Sequence, residues 1–157
     1  LQNVATGCTI VLNSKAIELL NSKRPDLKSV LMHDFWFYLV ISALGEVYFD
    51  EVAHIDYRQH DGNVIGAKQG LKLFLWRLKR FSKGESCSLS NQGREFLKVY
   101  SDKLSSEQKK VILNFLVASC SKSFLKRLYL TAKLPIYRQS NVDTFLSKAM
   151  LVLRKYK

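Results

Sequence analysis

From residue 66 onward the chain offers one kind of hydrophobic spacing, the helical one, and this constrains its fold more than any other feature. Apolar residues at i, i+3, i+4 and i+7 share one face of a helix. Leu71, Phe74, Leu75 and Leu78 follow that spacing within residues 68–81. After a break at Lys83-Gly84-Glu85-Ser86, helices are predicted over residues 90–104, 106–119, 122–133 and 142–154. Ser105-Ser106-Glu107 is a start signal for the second of these, and Pro135, which cannot sit in a helix interior, ends the third pattern. Four or five helices packed as a bundle are expected for residues 67–157.

The first 66 residues read differently. Residues 4–12 are rich in β-branched side chains around Gly7, which suggests a strand, a turn and a short strand. Asn13 or Ser14 can cap a helix over 15–22, and Pro25 stops it. A second helix is predicted over 34–44, with Asp34 as its N-cap and Gly45 as its C′ residue. Residues 46–50 and 53–59 have the composition of two short strands. The expected fold class is therefore mixed α/β and mostly helical, with few short strands. The expected core is Ile10, Leu12, Ile17, Leu20, Phe35, Leu39, Val40, Leu44, Val47, Phe49, Leu75, Leu78, Leu97, Val111, Phe115 and Leu128.

Charge divides the chain at the same place. Residues 1–65 hold five Lys/Arg and eight Asp/Glu, net −3; residues 66–157 hold twenty and five, net +15. A basic rear suggests an anionic partner. Three distant cysteines, Cys8, Cys87 and Cys120, show no zinc spacing and read as buried or idle thiols in a reducing compartment. No apolar run reaches the roughly 20 residues needed to span a bilayer. The opening Leu1-Gln2-Asn3-Val4-Ala5-Thr6 has no basic n-region or cleavage site and reads as the interior of a longer protein.

Three segments could carry chemistry. Thr6-Gly7-Cys8-Thr9 contains a glycine that admits close backbone approach to a ligand, or simply serves a turn. Met32-His33-Asp34-Phe35-Trp36 places a carboxylate at a helix start, where it serves as a cap or as a general base. The two roles conflict, because the helix N-terminus stabilises the anion and lowers its basicity. In the segment from Asp56 to Gly66, His60 stands before the Asp61-Gly62-Asn63 turn signal, where it is a metal or phosphate ligand or a plain surface residue.

In their order and spacing these segments resemble the C-terminal part of family-2 glycosyltransferases. The similarity lies with bacterial enzymes that build rhamnose-containing and other cell-surface polysaccharides, and it covers residues 3–66. It implies the acceptor side of a GT-A fold and an inverting transfer from a nucleotide-sugar to a saccharide or lipid-linked acceptor. By the same resemblance Asp34 would be the catalytic base. Gly7, Cys8, Thr9, His33 and Trp36 would line the sugar cleft, and Arg58, His60 and Asn63 would meet the diphosphate. A divalent metal, Mn or Mg, is implied for the complete enzyme, with His60 as a candidate ligand. The chain has no Asp-x-Asp, the motif that holds the metal in the donor half of such enzymes. On its own it is therefore expected to be inactive, and to expose apolar edge surface that a second copy would cover or that leaves the first strand frayed.

The basic helix around Lys72, Arg77, Lys79, Arg80 and Lys83 carries Phe74, Trp76 and Phe81, and Lys122, Lys126, Arg127 and Arg154 continue the charge. Such a surface suits an anionic membrane and a cytoplasmic protein held peripherally at the inner face of the plasma membrane; it equally suits a solvated bundle. A basic nucleic-acid-binding module and a non-catalytic interaction domain are the competing readings. No helix-turn-helix or base-stacking pattern supports the former, and no nucleic-acid partner is expected.

Overall fold

The computed structural model describes residues 7–56, 87–138 and 140–154. Among them the chain is mostly helical. Two short 3-10 turns, Gly7–Thr9 and Leu27–Ser29, accompany six α-helices: α1 Ser14–Asn21, α2 His33–Leu44, α3 Cys87–Tyr100, α4 Ser106–Cys120, α5 Phe124–Lys133 and α6 Asn141–Val152.

Four of the six helix starts have a side-chain cap among the described residues. Asn13 caps α1, its side chain accepting from the Ala16 amide at 2.9 Å. Ser105 and Gln108 form a reciprocal capping box at α4. Ser123 and Ser140 cap α5 and α6 by accepting from Lys126 and Val142 amides. Helix α2 differs from expectation. It begins one residue early, at His33, and its N-cap position is held by Met32, which makes no side-chain cap. Asp34 is therefore in the first turn and is not the N-cap. Gly45 is the C-cap residue itself rather than the next one.

The described residues contain no strand, which corrects the front half of the expected mixed class. Residues 7–9 form a 3-10 turn, and residues 46–50 and 53–56 have no regular structure. A strand is stable only when its backbone groups pair with another. β-branched composition suits a pleated surface but supplies no partner. Residues 57–59, and the helix expected over 68–81, lie outside the described residues.

Two apolar clusters hold the helices. The first joins Trp36, Leu39 and Val40 of α2 to Phe96, Val99 and Tyr100 of α3 and to Leu104. The Trp36 ring meets Phe96 edge-on at 6.1 Å, and Phe96 lies 5.7 Å from Tyr100. The second joins Phe115 and Ala118 of α4 to Leu134 and Leu151. Helices α3 to α6 pack with their neighbours in sequence, and α4 also touches α6. Of the expected core, Leu39, Val40 and Phe115 are buried, while Ile17, Val47, Phe49 and Leu128 are exposed. Val47 and Phe49 lie in the unpaired segment, where no second layer covers them. Leu75 and Leu78 lie outside the described residues.

The first cluster includes residues from both sides of residue 66. Hydrogen bonds reinforce the join: Tyr100 Oη donates to the Leu19 carbonyl at 3.3 Å, and Gln108 Nε2 to the Ala43 carbonyl at 2.7 Å.

Candidate functional site

The sequence singles out Gly7 and the His33-Asp34 pair, and the fold brings them together. A β-carbon on Gly7 would lie 2.8 Å from His33 Nε2 and 3.6 Å from the Asp34 β-carbon. Only a glycine lets the 3-10 turn approach α2 this closely without moving the imidazole. Twenty-six residues of chain separate the two, so this contact is tertiary.

Asp34 is 6% exposed. Its Oδ1 accepts from the Phe35 amide at 2.8 Å, one of the N–H groups that a helix start leaves unsatisfied. Among the described residues no cation pairs with it. Burying a carboxylate without an ion pair is costly, and here the hydrogen bond from the Phe35 amide and the positive end of α2 act against that cost. His33 is exposed, and its ring stands edge-on to Phe37 at 5.9 Å.

Next to His33, α1, the 22–32 connection and α2 enclose a cleft of about 530 Å³. Leu12, Leu20, Val30 and Trp36 form much of its wall, with Arg24 and His33 as its ionisable groups. Asp34 does not line it. Trp36, expected to meet sugar, is 4% exposed and spends its ring on the contacts with Phe96 and Tyr100. Cys8 and Thr9 are exposed in the turn that Gly7 opens, and the Cys8 thiol is free. Arg58, His60 and Asn63 lie outside the described residues. Among those described, no three His, Cys, Asp or Glu side chains gather as a metal site.

What positions the pair was not visible in the sequence. The 22–32 connection, which delivers the chain to His33, is held by side chains of α3. Glu95 Oε1 accepts from the Asp26 amide at 2.8 Å, and Gln92 Oε1 from the Leu31 amide at 2.9 Å. Both side chains are buried, and Gln92 Nε2 has no hydrogen-bond partner among the described residues. Lys98 balances Glu95 at 3.2 Å. At the outer edge Lys23 pairs with Asp102, and the Lys23 ammonium holds the Asp102 carboxyl below its usual 3.8. Two polar residues at i and i+3 inside a predicted helix were the only available signal, and solvated helix faces show the same spacing.

Farther along, His54 Nε2 lies 3.0 Å from Asp50 Oδ2 in an exposed segment. The Val52 amide and then His54 lower the Asp50 pKa.

Compared with known proteins, the chain matches no family model, no curated sequence and no solved structure.

Proposed function

We propose that this chain is the acceptor-side portion of a glycosyltransferase, with Asp34 as the general base that takes the proton from an attacking acceptor hydroxyl. One observation carries this reading. Asp34 is a buried carboxylate that pairs with no cation among the described residues, its one hydrogen bond coming from the Phe35 amide of its own helix start, and it sits against the glycine turn that the resemblance assigns to the sugar side. A buried carboxylate without an ion pair is more frequent at sites where a proton is moved than where structure alone is served.

In this reading the acceptor hydroxyl meets Asp34 on the Gly7 side, next to His33, and the cleft beside His33, which Asp34 does not line, holds other parts of the acceptor. The acceptor oxygen forms the new bond to the anomeric carbon as the bond from that carbon to the nucleoside diphosphate breaks, and the acceptor proton goes to Asp34. By the resemblance the diphosphate and a divalent metal would fall to Arg58, His60 and Asn63, which lie outside the described residues.

The test uses the complete polypeptide that carries this sequence. Nucleoside diphosphate release from a panel of nucleotide-sugars is measured for wild type and Asp34→Asn. The expected result is turnover of one sugar and a loss of at least about a hundredfold in Asp34→Asn, within the usual range for general-base removal, with unchanged melting. Activity retained in Asp34→Asn would make the carboxylate a local backbone partner only and remove the proposal.

A further inference from the structure

Helix α5 is built inside out for a protein surrounded only by water. Its packed face holds Arg127 and Thr131, both buried, and half-buried Leu130. Its exposed face holds Phe124 at 51%, Leu125 at 75%, Leu128 at 49% and Tyr129 at 57% accessibility. On a helix of 3.6 residues per turn these four fall on one contiguous arc, with Lys126 and Lys133 along its border. A cluster of exposed large apolar side chains marks an interaction surface.

The basic residue at the centre of the helix does not serve that surface. Arg127 turns inward, where Nη1 donates to the Ser121 and Lys122 carbonyls, each at 2.9 Å, and Nε donates to the Val152 carbonyl. It ties together the ends of α4 and α6. This revises the expectation that Arg127 joins the basic face. The outward cations are Lys122, Lys126 and Lys133, and the Lys133 ammonium lies 4.5 Å over the Tyr129 ring. Residues 108–142 contain no Asp or Glu and seven Lys/Arg.

We propose that the exposed face of α5 docks on an anionic lipid surface, with Phe124, Leu125, Leu128 and Tyr129 entering the interface and Lys122, Lys126 and Lys133 meeting the headgroups. Apolar and aromatic groups rimmed by lysines match the layering of a bilayer interface, where acyl chains lie beneath anionic heads. The helix has 10 residues. It is thus about 15 Å long, half the hydrocarbon thickness, so it lies on the membrane rather than crossing it. No helix of the described residues is long and apolar enough to cross. A second copy of this chain fits worse. A two-fold contact would bring two copies of a lysine-bordered patch together, with no acid in residues 108–142 to answer. Nucleic acid would use the lysines but gain little from four apolar side chains. The inference is independent of the role given to Asp34.

The test is co-sedimentation of the 157-residue chain with vesicles of phosphatidylcholine alone, and with about 30% phosphatidylglycerol, a fraction that gives a substantial negative surface potential. Binding is expected to the anionic vesicles only, and to weaken with salt. Leu125→Ser with Leu128→Ser should lower the affinity about tenfold or more. Lys126→Ser and Lys133→Ser should each lower it about fivefold. All four are exposed, so helix content should be unchanged by circular dichroism. As a readout that does not depend on those variants, Tyr129→Trp should shift its emission to the blue on adding anionic vesicles. The proposal is overturned by equal binding to neutral vesicles, by binding indifferent to the leucine pair, or by no vesicle binding at all. Self-association or DNA binding abolished by the leucine pair, without vesicle binding, would assign the face to a second copy or to nucleic acid instead.

Discussion

The two halves of the described structure solve opposite problems. Residues 7–56 contain the groups that suggest chemistry, yet have little to hold them: α1 buries no residue, and residues 45–56 are exposed throughout. Residues 87–154 suggest little chemistry and supply most of the order. Helices α4, α5 and α6 are capped by serines, and the rear is packed through Phe96, Tyr100, Phe115 and Leu151 and cross-tied by the buried guanidinium of Arg127. The front is positioned by the rear. Trp36 docks on Phe96 and Tyr100, while Gln92 and Glu95 fix the connection that leads to His33 and Asp34. A candidate site can thus owe its geometry to a region with no apparent part in it.

The strongest way to break this comparison is Phe96→Ala. Phe96 is fully buried between Trp36 and Tyr100, so its loss should cost about 3–5 kcal/mol. If the rear holds the front, amides of α1 and α2 should lose hydrogen-exchange protection together with those of α3. Unchanged protection in α1 and α2 would mean that the front stands by itself.

A narrower change is Gln92→Leu. It keeps the volume but leaves the Leu31 amide without its acceptor, at a cost of about 1–3 kcal/mol. Faster exchange at Leu31 and shifted amide signals of His33 and Asp34 are expected in the folded protein. A loss of stability without movement of those signals would make Gln92 a packing residue only.

The smallest effect belongs to the exposed Lys23–Asp102 pair. The pair holds the Asp102 carboxyl below 3.8, so its contribution is complete above that pH and disappears as pH falls through the lower, folded value. Both side chains are partly or well exposed, so solvent screens the pair and the contribution is small. Asp102→Asn should therefore melt slightly below wild type at pH 7 and level with it at pH 2. A gap that persists at pH 2 would show that something other than the charge stabilises that edge.

Local signals read well in the sequence. Asn13, Ser105 and the Pro25 stop foretell where α1 and α4 begin and where α1 ends, because caps and proline act on neighbouring backbone. Asp34 shows the limit of such reading. A carboxylate near a helix start looks like a cap, but the helix begins one residue earlier and the side chain finds Phe35 instead. The strands expected at 46–50 and 53–59, absent over the described 46–50 and 53–56, show the same limit more sharply, since a strand is a property of two segments and a sequence window reports one.

By itself, the sequence determined that the described chain is mostly helical, where α1 and α4 start, and that its rear is basic, because periodicity, capping and charge are carried within a few residues. Only the tertiary structure decided that Gly7 lies on His33, that Gln92 and Glu95 hold the path to Asp34, and that Arg127 faces inward while Leu125 and Leu128 face out. Each of these depends on which surfaces meet. A helix with apolar residues around most of its girth does not specify which side is to be buried until its neighbours have packed.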